Sequence, residues 1–330
     1  MRKTRSDRPK RILYLALGWP PSHPAGSEVM GHQLARALVG AGHEVIVSVS
    51  RPDYSPAEPY VLDGVTVLPF SNRAQDSRRS FGADVVIAHL CDMPRAAALA
   101  RRNMCPAVVV VHNFEKPPVG VDLVVYNSEW LAEWHDAEGR GDTWMVVRPP
   151  VNVPDYRTTP GDKITLVNAN IDKGGLLVKE LAKALPDRDF LVCEGAYGKQ
   201  VAMRGKNITR QRMVAPEDMP AKVYARTRLL LMPSAHESWG RAAVEAMASG
   251  IPVIAHPTPG LRECLGEAGI FADREDREGW VEAITRLDDP RLYAAASAIA
   301  AARAEELHRM TTADLGAFVD AVTNLRRRHR

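Results

Sequence analysis

Hydrophobic positions along the chain fall into two textures. Unbroken runs rich in Val, Ile and Leu occupy 11–17, 44–49, 65–70, 83–89, 107–112 and 123–126. Runs that are apolar throughout predict strands buried on both faces, as in a parallel sheet covered by helices. Between the first two runs, Val29, Leu34, Ala37, Leu38 and Ala41 recur at helical spacing, and Gly40 and Gly42 close the helix. This is a βαβ opening, and its repetition predicts a doubly wound α/β sheet.

The pattern breaks over 147–161, where Pro149, Pro150, Pro154 and Pro160 crowd a polar stretch. So much proline continues neither a helix nor a central strand and predicts an interdomain linker. After it the cycle restarts, with strands expected at 163–168, 190–193, 228–232 and 252–255 and helices at 174–184 and 239–249. From Arg277 onward the chain reads as helical, ending in a helix over 313–326. The expected domains are 1–150 and 151–310, with 311–330 a helix packing back toward the first. Two such sheets would place a ligand cleft between two sets of strand C-termini.

Composition narrows the class. The 330 residues are 45% hydrophobic and 25% charged, which describes a soluble globular chain and excludes global disorder. No apolar stretch approaches the roughly 18–20 residues of a membrane-spanning helix. The first apolar run follows a basic segment but ends at Trp19-Pro20-Pro21 without a small-residue cleavage site, so it predicts a strand and not a signal peptide. Cys91, Cys105, Cys193 and Cys264 form no CxxC pair and stand near no His at zinc-ligand spacing. The expectation is a reducing cytoplasm, with neither a disulfide scaffold nor a structural zinc. The net charge of +3 makes a poor case for nucleic acid, and the basic tails 1–11 and 325–330 read as solvated ends. Oligomeric state leaves no mark on the sequence.

The chemistry concentrates in Glu237-Ser238-Trp239-Gly240-Arg241-Ala242-Ala243-Val244-Glu245. A strand should end at Met232, a short loop carrying Glu237 follow, and a helix begin near Trp239. If that helix reached back to Glu237, the eight-residue offset would leave both carboxylates within one quadrant. Gly240 leaves the helix N-terminus open, where free N–H groups favour a phosphate. Two carboxylates and a phosphate site suit a sugar nucleotide. A helix cap at Glu237 and a surface acid at Glu245 fit the spacing equally well. His89 and His112 end strands and could face a ligand or sit satisfied in the core. Trp19, just past the first strand, could stack on an acceptor ring or pack against the sheet. Trp130 and Trp134 read as a packing pair, and His23 and His32 as surface residues.

Inside Pro233-Ser234 … Glu237-Ser238-Trp239-Gly240-Arg241 … Glu245-Ala246-Met247-Ala248-Ser249-Gly250-Ile251-Pro252-Val253-Ile254-Ala255, the paired acids resemble the donor signature of the retaining GT-B glycosyltransferases of family 4. Pro24-Ala25-Gly26-Ser27-Glu28, Gly42-His43-Glu44-Val45, the strands ending in His89 and His112, Tyr126-Asn127-Ser128-Glu129-Trp130 and Arg148-Pro149-Pro150-Val151-Asn152 are similar to further segments of that family. The resemblance implies two Rossmann-like domains facing each other across a cleft, the first binding the acceptor and the second the sugar-nucleotide donor. It assigns Glu245 to the nucleotide ribose, Glu237 to the transferred sugar, and Lys173, in Asp172-Lys173-Gly174-Gly175, to the diphosphate. Gly26 and Gly260 fall on the family's glycine-rich turns, and Ser238, Trp239, Gly240 and Arg241 on the donor loop. His89 joins Lys173 and Glu237 as a catalytic candidate, and Trp19 and His112 are the acceptor candidates.

Two departures stand out. Asn168 occupies the place where the family usually carries an arginine, so the phosphate clamp should be weaker, with one cation instead of two, unless Arg241 or Arg148 substitutes. Ala25 replaces the first glycine of the usual pair before Ser27. The function expected is hexose transfer from a nucleoside-diphosphate sugar to an acceptor hydroxyl, with retention of configuration. No cofactor beyond the donor substrate is implied, and no metal, because no strand-end Asp-x-Asp pair is present. The alternatives are a sugar-nucleotide epimerase or phosphorylase, a non-catalytic sugar-nucleotide binding protein, and a nucleic-acid-modifying glycosyltransferase.

Overall fold

The computed structural model describes residues 8–70 and 82–327, so most of the N-terminal basic tail and residues 328–330 lie outside the described residues. The chain divides into two compact units, Met1–Pro150 with Thr311–Arg330, and Val151–Met310.

In the first unit the strands are β1 (Arg11–Ala16), β2 (Glu44–Val49), β3 (Tyr60–Leu62), β4 (Val65–Leu68), β5 (Val85–His89), β6 (Ala107–Val111), β7 (Leu123–Tyr126) and β8 (Trp144–Val146). They lie in the order β3-β4-β2-β1-β5-β6-β7-β8. The ladders are parallel except for the antiparallel pair of β3 with β4. Every residue of β5, β6 and β7 is buried, as the unbroken Val-rich runs predict. β3 and β8 have three residues each, too few for a period to register in the sequence. Helix α1 (Gly26–Gly40) returns the chain from β1 to β2 and ends before Gly42, whose φ of +89° turns the backbone out of the helix. Helices α2 (Met93–Asn103) and α3 (Glu129–Trp134) follow β5 and β7.

The second unit repeats the design. Its strands are β9 (Lys163–Val167), β10 (Phe190–Cys193), β11 (Ile208–Gln211), β12 (Thr227–Met232), β13 (Val253–Ala255) and β14 (Gly269–Phe271). All pair in parallel, in the order β11-β10-β9-β12-β13-β14. Around them lie α4 (Gly175–Ala184), α5 (Met219–Lys222), α6 (Arg241–Met247), α7 (Pro259–Leu265) and α8 (Arg277–Arg286). The strand order reverses at β9, which has β10 on one side and β12 on the other. Doubly wound sheets bind ligands beyond the strand C-termini at such a reversal. In the first unit the corresponding reversal is at β1.

Helix α6 is shorter than the sequence suggested. Gly240 has a φ of +112°, a conformation that L side chains rarely adopt, so the helix starts only at Arg241. Glu237 therefore lies in a loop, and the one-quadrant argument for the two carboxylates fails.

The last helix, α9 (Pro290–Asn324), contributes residues to both units. In the first unit Phe318 and Val322 are fully buried in a core with Tyr14, Met30, Leu34 and Val47. Thr323 Oγ1 lies 2.8 Å from His43 Nε2, and Lys10 Nζ donates to the carbonyls of Val322 and Leu325 at 2.8 and 3.1 Å. The final segment is thus part of that core. Phe318→Ala should destabilise the first unit by about 3–5 kcal/mol. Urea unfolding followed by fluorescence checks this; an unchanged midpoint would mean that the helix end is not integral.

Candidate functional site

At the β9 reversal two loops meet through one ion pair. Lys173 Nζ donates to both oxygens of Glu237, at 2.7 and 2.6 Å. Burial on its own would lower the Lys173 pKa, but the Glu237 carboxylate, helped by Tyr197, outweighs it and holds the pKa above the ordinary lysine value. The ammonium keeps its proton.

Local geometry explains why Lys173 stands there. Its backbone N–H donates to Asn170 Oδ1 at 2.8 Å. Gly174 follows with a φ of +88°, and a Cβ there would come within 2.3 Å of Pro233 in the partner loop. Arg274, which the sequence reading missed, staples the two loops. Its guanidinium donates to the carbonyls of Asp172, Ile171 and Pro233 at 2.7, 2.6 and 3.0 Å. On the Glu237 side, a Cβ on Gly260 would come within 2.4 Å of the Glu237 carbonyl oxygen. Gly260 is the second residue of α7, behind the cap supplied by Thr258. Its role is close approach, and the turn freedom expected of it is not needed.

Glu245 is buried, contrary to a surface acid. Arg241 Nε approaches Glu245 Oε1 at 2.7 Å, and Tyr224 Oη donates to Oε2 at 2.7 Å. Arg241 Nη2 also donates to Tyr156 Oη at 3.1 Å. Arg241 is therefore engaged by Glu245 and cannot be assumed to supply the missing phosphate charge. Arg148 cannot either: in the first unit its Nη1 bonds both Asp314 oxygens at 3.1 and 2.9 Å and its Nη2 reaches Glu129 at 3.1 Å. Asn168, at the expected arginine position, has a left-handed φ of +62° and accepts from Gln200 Nε2 at 3.0 Å. Asparagine tolerates that conformation better than arginine does. Trp239 is buried in the core of the second unit, and Ser238 remains partly exposed in the Glu237 loop.

In the first unit the residues at the β1 reversal form a buried polar group. His89 is fully buried, its Nδ1 3.4 Å from Tyr14 Oη and its Nε2 3.8 Å from Glu28 Oε1. Its ring meets His112 edge-on at 5.3 Å. Burial holds the His89 pKa well below the usual imidazole value and lowers that of His112 to about 4. Trp19 is fully buried with its edge on Tyr14 and His32, which corrects the expectation that it stacks on an acceptor. His23 and His32 are also buried, His32 3.0 Å from Asp63, so neither is a surface residue. Trp130 and Trp134 do meet, at 6.0 Å, but Phe114 completes an aromatic group in which Trp134 is exposed. Gly26 opens α1 with no atom near the position of a Cβ. Among the described residues no group of three or more His, Cys, Asp or Glu is placed to hold a metal.

Two family models match the chain: "Glycosyltransferase Family 4" over residues 24–153 and "Glycosyl transferases group 1" over 166–289. The second match contains Asn168, Lys173, Tyr224, Glu237, Arg241, Glu245 and Gly260. The chain belongs to the family 4-like glycosyltransferases with the GT-B fold. Among solved structures, a sucrose-phosphate synthase from Thermosynechococcus elongatus aligns with a TM-score of 0.76 at 15% identity, over 95% of this chain and 99% of that one. Anabaena HepE in complex with UDP-glucose aligns with a TM-score of 0.76 at 16% identity, over 96% of this chain and 100% of that one. Among curated relatives, the D-inositol 3-phosphate glycosyltransferase of Corynebacterium diphtheriae is 33% identical over 130 residues, 34% of this chain and 30% of that protein. The Rhodococcus opacus protein of the same name is 39% identical over 100 residues, 29% of this chain and 22% of that protein. These matches span less than a third of each relative's length.

In this family 4-like chain the candidate site residues have neighbours that spacing could not reveal. Tyr14, Tyr156, Tyr224 and Arg274 come from elements remote from the signature. Glu28 alone had a sequence signal, as part of the family-like segment Pro24-Ala25-Gly26-Ser27-Glu28. Its carboxyl is buried, and desolvation raises its pKa from 4.5 to about 7 although Ser27 Oγ donates to it at 2.6 Å. Because the folded-state pKa lies above the unfolded value, the folded state binds the proton more tightly. Stability is then full below about pH 4.5 and falls as pH climbs through 7, by on the order of 3 kcal/mol. Glu28→Gln removes that term. The melting temperature of Glu28→Gln should rise relative to wild type between pH 5 and pH 8; a constant difference would remove Glu28 as a buried titrating acid.

Proposed function

We propose that this chain is a retaining hexosyltransferase that moves a sugar from a nucleoside diphosphate to an acceptor hydroxyl. The observation that carries the reading is the Lys173–Glu237 pair at the β9 reversal, inside the segment matched by the glycosyl transferases group 1 model. A sugar diphosphate presents what this pair can use: an anion for the ammonium and hydroxyl donors for the carboxylate. Binding would exchange the internal ion pair for these two contacts. Glu245 would then accept from the ribose hydroxyls. A neighbour of the same fold bound to UDP-glucose supports a sugar nucleotide as ligand, and relatives named D-inositol 3-phosphate glycosyltransferases support a hydroxyl acceptor.

In the reaction the bond from the sugar's anomeric carbon to the diphosphate oxygen breaks as the bond to the acceptor oxygen forms. The acceptor's proton passes to the departing phosphate on the same face, which retains configuration. Charge develops on the leaving diphosphate, and Lys173 is placed to offset it. This role falls to Lys173, whose pair with Glu237 the donor would open. The proposed reaction is metal-independent and takes place in the cytoplasm, and no described helix is long and apolar enough to cross a membrane.

Two measurements test the reading. A panel of sugar nucleotides is screened for thermal stabilisation, where a ligand at 100 times its Kd adds roughly 2.7 kcal/mol. With the stabilising donor, Lys173→Ala should lower kcat/KM by about a hundredfold. Full activity in that variant would place the diphosphate elsewhere, and binding without transfer or hydrolysis would make the protein a sensor. Exhaustive treatment with EDTA should leave the transfer rate unchanged; loss restored by magnesium or manganese would contradict metal independence.

A further inference from the structure

Glu245 is held as though its orientation mattered. Arg241 lies one helical turn before it on α6, and the Arg241 Nε contact at 2.7 Å fixes Oε1. Oε2 is fixed from another direction by Tyr224, which lies just before β12 in a short 3-10 turn, Tyr224–Arg226. The Tyr224 ring is fully buried, and its hydroxyl also stands 3.5 Å from the Ala242 carbonyl. One hydroxyl hydrogen serves one acceptor well, and the 2.7 Å carboxylate contact takes it. Burial, and after it the Glu245 charge, pushes the Tyr224 pKa well above the usual phenol value, so the hydroxyl stays a donor. Tyr156 completes the frame from the linker: its oxygen accepts from Arg241, and its ring meets the Tyr224 ring edge-on at 6.2 Å.

A carboxylate has about four lone-pair sites, so donors locked on both oxygens fix the plane and the direction of those that remain. A carboxylate free to rotate could satisfy one hydroxyl at a time. One held in a fixed plane can meet two vicinal hydroxyls together, and pre-orientation of this kind favours a diol over a lone hydroxyl. The side chain of Glu245 is 8% exposed, and on the donor reading its remaining lone pairs would meet the ribose.

We infer that Tyr224, with Arg241 behind it, is a positioning residue that orients Glu245 and thereby sets discrimination between a ribonucleotide and its 2′-deoxy counterpart. The inference rests on the donor reading above. Tyr224 does not itself contact the nucleotide; it acts through Glu245.

The experiment compares two forms of one ligand. Calorimetry with UDP, GDP and ADP identifies the diphosphate that binds, and its 2′-deoxy form is then measured against wild type, Tyr224→Phe, Arg241→Lys and Glu245→Gln. Thermal melting reports whether each variant is folded. Wild type should prefer the ribonucleotide by roughly tenfold or more, the value of one hydrogen bond to a charged group. Glu245→Gln should lose most of that preference. Tyr224→Phe should lose it largely too, while its affinity for the 2′-deoxy form stays near the wild-type value. A merely structural role for Tyr224 would weaken both forms alike. Loss of preference in Glu245→Gln but not in Tyr224→Phe overturns the inference and leaves the donor reading standing. If wild type binds none of the three nucleotides, the donor reading fails and this inference with it. Should Tyr224→Phe not fold, Arg241→Lys, which keeps the charge but not the Nε donor, carries the same comparison with the same two outcomes.

Discussion

An ammonium largely withdrawn from water needs a carboxylate, and in the second unit that requirement joins the loop after β9 to the loop after β12. Lys173 and Glu237 meet at hydrogen-bond distance, and much of the surrounding backbone can be read as the means of bringing them there. Gly174 and Gly260 are glycines because a Cβ at either would collide with the facing loop. Arg274 gathers three carbonyls from the same two loops, which would otherwise be polar groups needing water. A parallel sheet makes this possible: two adjacent strands running the same way release both loops at one end.

The second acid is handled differently. Glu245 is paired inside its own helix turn by Arg241 and again by Tyr224. Removing one partner of a buried ion pair is costly because the other is left unpaired. Arg241 is thereby paired with Glu245, and Arg148 with Asp314 and Glu129 in the first unit. The charge arrangement fits a site with one lysine at its centre, which is the departure that Asn168 announces.

The first unit treats its acid in a third way. Among the described residues Glu28 is paired with no cation like that of Glu245; it accepts from Ser27 and lies beside the neutral-leaning ring of His89. Desolvation therefore dominates, and the carboxyl titrates near neutrality while the histidines resist protonation. Glu237, Glu245 and Glu28 thus differ through their partners: the first borrows a lysine from another loop, the second an arginine from its own helix, and the third a hydroxyl.

The sequence by itself determined the class of fold, the break near Pro149 and Pro150, and the position of the acid signature, because those depend on local pattern. Apolar runs declare buried strands, proline stops them, and Glu237 and Glu245 are eight positions apart in any conformation. It placed Glu237 in the loop after β12, but not the late start of the helix at Arg241, since that turns on the left-handed backbone at Gly240. The short strands β3, β8, β11 and β14 carried too few residues to show a period. Trp19 and His89 ended strands with either burial or exposure open to them, and only packing against Tyr14 and α1 decided for burial. Tyr156, Tyr224 and Arg274 were invisible as site residues because a hydrogen bond across 21 or 102 positions has no spacing to read. Chain folding alone brings such groups together, and with them it decides which charges are free and which are already spoken for.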